Sequence, residues 1–133
     1  MKREQIDNLI VYLVAVASTA KDIHYTCSGN DFYGKHLFAD KIYDNINEYI
    51  DRLKEVCLLG HKYAPLNARE YYKEAIPEIP YNADFESIRD LMIKVLALIE
   101  QINGVSKGDE NLLGAIAEDI QNNVGLINIM YGD

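Results

Sequence analysis

Apolar positions recur at three- and four-residue steps along four stretches of the chain, and each stretch predicts one helix. Ile6, Ile10, Leu13, Ala17, Ala20 and His24 share one face of a helix expected over 3–27. Phe32, His36, Ala39, Tyr43, Ile46, Ile50 and Leu53 do the same over 31–59, where Gly60 is the expected stop. Ile88, Leu91, Met92, Val95, Leu98, Ile99 and Ile102 mark a helix over 84–104, capped by Asp84. Leu112, Leu113, Ile116, Ile120, Val124, Ile127 and Met130 mark a helix opened by Asp109, after a loop over 105–108. The tract 61–83 holds Pro65, Pro77 and Pro80 and room for one short helix over 67–75.

The turn Ser28-Gly29-Asn30-Asp31 is short, so the first two helices are antiparallel neighbours. Gly29 can end the first, and Asn30 or Asp31 can cap the second. The tract 61–83 is too long for a link between antiparallel neighbours, which takes about 2 to 8 residues. It suits a crossover to the far end of a bundle. The expectation is an all-α, ferritin-like four-helix bundle with a long central crossover carrying a short helix. One domain spans residues 1–133. The run Leu9 to Ala17 is too short to span a bilayer, which takes about 20 residues. It reads as a buried helix segment.

Charge narrows the partners. The chain has a formal net charge of -8 and a pI near 4.8. Such a surface repels nucleic acid, which is bound through clusters of Lys and Arg. Cys27 and Cys57 are too few for a disulfide framework. No signal peptide or membrane segment is evident, so a cytoplasmic location with reduced thiols is expected. Cys27 reads as a small buried hydrophobe and Cys57 as lying near an exposed helix end. His61 has no acidic neighbour at helical spacing and reads as a surface residue.

The candidate chemistry lies between His24 and Glu55. His36 and Asp40 are four apart, as are Asp51 and Glu55, so each pair converges on one face of the second helix. His24 points inward, and such a residue taken alone is more often a hydrogen-bonded core histidine than a ligand. Imidazole with carboxylate suits iron, zinc or manganese, and the open mixed set favours redox-active iron over a closed zinc site. His36 and Asp51 are fifteen steps apart, roughly 22 Å along one helix. One ion cannot touch both. Either the two ends do unrelated jobs, or a second copy lies antiparallel and brings its acidic pair to the imidazoles.

His24-Tyr25, Gly29, Phe32, His36, Asp40, Tyr43-Asp44, Asp51 and Leu59-Gly60 together resemble the signature region of the Dps family, the mini-ferritins. The match covers about 20–65, and Lys107-Gly108-Asp109 extends it to the start of the last helix. The resemblance implies a shell of twelve subunits built from two-fold dimers. It implies ferroxidase sites for dinuclear non-haem iron, with His24, His36 and Asp40 from one subunit and Asp51 and Glu55 from its mate. Fe(II) is then oxidised by hydrogen peroxide or dioxygen, and ferric iron is stored, which protects against oxidative damage. Tyr25 takes the place of the family's usual Trp and is the candidate electron relay. Asp109 or Asp119 would line an iron-entry pore, although a helix cap explains Asp109 equally well.

The family's basic DNA-binding arm is reduced here to a few residues, so DNA binding is not expected. The competing readings are a bundle or cage with a structural role and no redox chemistry, and a DNA-associating member of the family.

Overall fold

The computed structural model describes residues 1–132. It is all-α, with no strand among the described residues. Helix α1 spans Arg3–Thr26, α2 Phe32–Glu55, α3 Ala68–Ala75, α4 Phe85–Glu100 and α5 Lys107–Met130. The long helices form a bundle, and short α3 lies between α2 and α4 in sequence. No described helix is long and apolar enough to cross a membrane.

Helix α1 is the hub. It packs against α2, α3 and α4, while α4 packs against α5. The run Leu9 to Ala17 explains why. It has no wholly polar side, and every residue in it except Tyr12 is buried. Burial of such a run removes apolar surface from water on several sides at once. Ile42, Ile46, Leu53, Ile88, Met92, Val95, Ile116 and Ile120 complete the core from the other helices. Helix α5 closes on α2 through a polar contact, Asn45 Nδ2 to Asp119 Oδ2 at 3.4 Å.

The cap expected at Asp84 is present, and Asn67 caps α3 as well. Asn67 accepts from the Glu70 amide at 3.0 Å. Asp84 accepts from the Ser87 amide at 2.7 Å, and Ser87 Oγ accepts from the Asp84 amide in return. Other helix ends differ from expectation. α4 stops at Glu100, where the Gln101 and Ile102 amides turn back to the carbonyls of Leu98 and Ile99 in tighter bonds. α5 begins at Lys107, two residues before Asp109, because Ser106 Oγ accepts the Asp109 amide and takes the cap.

The end of α2 shows the largest change. Its last turn, Val56–Gly60, widens into a π-helical turn, with the His61 amide donating to the Val56 carbonyl at 3.1 Å. The helical run ends at Gly60, as expected, and the left-handed residue that follows is Lys62, with φ 58°. This wide turn carries Cys57 inward. Its side chain is fully buried, not near an exposed end, and its Sγ–H donates to Tyr63 Oη at 3.3 Å. His61 is likewise no simple surface residue. It is half-buried, and its Nε2–H donates to Asp109 Oδ2 at 2.9 Å. That contact joins the end of α2 to the first turn of α5. Phe32, expected inward, is largely exposed at the start of α2, and Cys27 is half-buried against the core.

Candidate metal centre

The turn after α1 brings His24 and His36 together. Gly29 takes φ 82° and Asp31 φ 56°, both left-handed, which reverses the chain within a few residues. Asp31 stands at the N-cap position, but its side chain makes no cap hydrogen bond. His24 then lies in the last turn of α1, and His36 just past the first turn of α2.

The two imidazoles stack, with centroids 3.5 Å apart and planes 21° from parallel. His24 Nδ1 lies 3.0 Å from the His36 carbonyl oxygen, and His36 Nδ1 lies 2.6 Å from the His24 carbonyl oxygen. A carbonyl can only accept, so each Nδ1 carries the proton and donates. The bond to His24 also satisfies a carbonyl in the last turn of α1, where helical partners run out. In the neutral rings both Nε2 atoms keep a lone pair. A hydrogen bond from one ring nitrogen to a main-chain carbonyl is the usual way a protein fixes an imidazole as a ligand through the other.

Aromatic side chains frame the pair. Phe32 stacks on His36 with centroids 5.3 Å apart, and Tyr25 meets His24 edge-on at 5.1 Å. Tyr25 is 72 % exposed, so one chain leaves this side of the site open.

Asp40 sits one turn beyond His36 and is half-exposed. Within the chain its partner is Lys21, whose Nζ is 3.6 Å from Asp40 Oδ1. The same ammonium lies 4.6 Å from the centre of the Tyr43 ring and 5.5 Å from that of Tyr25. Sequence reasoning passed over Lys21. It stands three residues before His24, on a neighbouring face, but the contact with Asp40 crosses from α1 to α2 and leaves no local signal.

Asp51 and Glu55 lie at the other end of α2. Both are exposed, and neither has an ion pair or side-chain hydrogen bond with another described residue. Helix α2 is continuous from Phe32 to Glu55, so the separation of roughly 22 Å expected for fifteen helical steps holds. Among the described residues no group of three or more His, Cys, Asp and Glu side chains is arranged to hold a metal. The chain brings His24 and His36 into contact, places Asp40 beside Lys21, and leaves Asp51 and Glu55 apart.

The outer stripe of α2 has a pattern of its own. Tyr33, Leu37, Lys41, Asp44, Glu48, Asp51 and Glu55, with Leu58 and Leu59 beyond them, are all exposed. Large apolar side chains occupy both ends of this stripe and charged ones the middle. Exposed apolar side chains paired at each end in this way suit a contact surface.

The candidate pore residues are engaged within the chain. Asp109 is buried against His61, and Asp119 meets Asn45. A surface cleft of about 750 Å³ lies over α3, lined by Asn67, Arg69, Tyr72, Lys73 and Ile76 among others, and contains none of the candidate ligands. No protein-family model matches the chain, and no curated protein matches it in sequence.

Proposed function

We propose that this chain is a ferritin-like mini-ferritin of the Dps type, which oxidises Fe(II) at sites shared between two copies and stores the ferric product. The observation that carries the reading is the locked imidazole pair. His24 and His36 present both Nε2 atoms as free donors, yet their own chain supplies too few further ligands. A second copy, antiparallel along α2, would bring Asp51 and Glu55 to them, and a two-fold axis would do so twice.

The outer stripe of α2 supports the same axis independently. An antiparallel crossing near Asn45 sets Tyr33 and Leu37 of one copy toward Leu58 and Leu59 of the other. It also sets Lys41 opposite Glu48. Ligands and apolar ends agree on this crossing to within about one helical turn.

Iron is the substrate. Two ferrous ions each give up one electron, and one hydrogen peroxide takes both as its O–O bond breaks, leaving two hydroxide ions that take up protons to form water or pass into the ferric product. The imidazoles bind and orient, while Asp40, Asp51 and Glu55 stabilise the added positive charge of the ferric product. The edge-on contact of Tyr25 with His24 supports a role for it as electron relay. Dioxygen is the alternative oxidant, and twelve copies closed into a shell would hold the mineral.

The test is ferrous iron added without oxygen, followed by peroxide or air, with ferric absorbance as the readout. The wild type should oxidise iron well above buffer, and His36→Ala should fall to background while remaining helical. Equal rates in wild type, variant and buffer would remove the proposal.

A further inference from the structure

We propose that Lys21 is a built-in counter-cation that limits each shared site to one tightly held divalent ion and admits a second only when its ammonium leaves Asp40. The inference rests on the shared-site reading above. Its starting point is the box around the Lys21 ammonium. Asp40 Oδ1 lies 3.6 Å away, and the rings of Tyr43 and Tyr25 lie 4.6 and 5.5 Å away. A carboxylate and two ring faces all attract a cation, and here the cation belongs to the protein.

Charge balance decides the consequence. Asp40 with Asp51 and Glu55 of a second copy supplies three negative charges, and neutral imidazoles add none. One divalent ion together with the Lys21 ammonium balances them. A second divalent ion beside the same ammonium leaves two uncompensated positive charges within one site. The second ion must therefore displace Lys21 from Asp40. Lys21 and Asp40 are each about one-third exposed, so the ammonium has solvent to swing into. Iron arriving first is bound by the imidazoles and the partner's acids, and the Asp40 side of the site opens last. Lys21 is thus a positioning residue that sets the order and number of ions.

The experiment is a calorimetric titration of the full-length assembled protein with Zn²⁺, which has no redox chemistry. The wild type should bind one Zn²⁺ per chain tightly. Lys21→Gln removes the charge and should bind a second, with affinity raised about tenfold over any weak second event in the wild type. Lys21→Arg keeps the charge and should behave as the wild type, which a merely structural role for the lysine stem would not predict. Two tight ions in the wild type, unchanged in Lys21→Gln, would overturn the inference and leave the shared site standing. Zinc binding that ignores His36→Ala in every background would overturn the site and the inference together.

Discussion

His24 and His36 each donate the Nδ1 proton to the other's main-chain oxygen, and these two bonds fix both the turn and the orientation of the rings. The opposite end of α2 holds a second group of interacting side chains. Burial pushes the Cys57 thiol up from its ordinary pKa. Burial first, and then the hydrogen bond with Cys57, pushes the Tyr63 phenol far up. Burial and the hydrogen bond to Asp7 do the same for Tyr71, whose Oη lies 2.8 Å from Asp7 Oδ1. Each of these groups is neutral when protonated. A raised folded pKa means that the unfolded chain releases its proton first as pH rises. The stability is fully present below the unfolded values, about 8.5 for the thiol and about 10 for the phenols. It declines as pH climbs from there toward the folded values. Urea denaturation at a series of pH values should therefore show stability falling from near pH 9 and more steeply beyond pH 10, as the two reference values require. Tyr63→Phe should flatten the upper part of that fall. An identical slope in the variant would mean that Tyr63 is not held protonated by the fold.

At the scale of elements, Lys62 is the oddest position. A residue with a Cβ in the left-handed region costs roughly 1 kcal/mol or more, and glycine avoids that cost. Lys62 makes no ion pair or side-chain hydrogen bond with another described residue to compensate. Lys62→Gly should raise the stability by about 0.5 to 1 kcal/mol in chemical denaturation. A loss would show that the lysine stem matters more than the backbone. This is also where sequence and structure part. The helices themselves were legible, because apolar spacing and the cap at Asp84 are local signals. The stop at Gly60 was legible too, since the helical run ends there, but the π-helical form of its last turn, which carries Cys57 inward, leaves no local signal. The bond from His61 to Asp109 spans 48 residues of sequence, and that from Lys21 to Asp40 joins two helices. Neither has a periodicity to reveal it. The imidazole pair was legible as a possibility from the short turn, but the reciprocal carbonyl bonds belong to tertiary geometry.

At the scale of the whole molecule, candidate ligands divided between the two ends of one continuous helix make a demand that can be tested by mixing. One variant, His36→Ala, keeps its acidic pair and spoils its imidazole half. Another, Asp51→Ala with Glu55→Ala, keeps its imidazoles and spoils its acidic half. Every dimer of either variant alone has two broken sites. In a mixed dimer one site takes the damage from both chains, and the other takes none. If the two are unfolded together and refolded at equal amounts, about half of the dimers are mixed and each carries one intact site, so ferrous oxidation should return to about a quarter of the wild-type rate. Exposed Asp51 and Glu55 can be replaced with little effect on folding, because neither supports the bundle. Failure to recover activity from two folded, individually inactive variants would mean that each chain works alone. The imidazoles would then serve the turn between α1 and α2 and not a shared pocket.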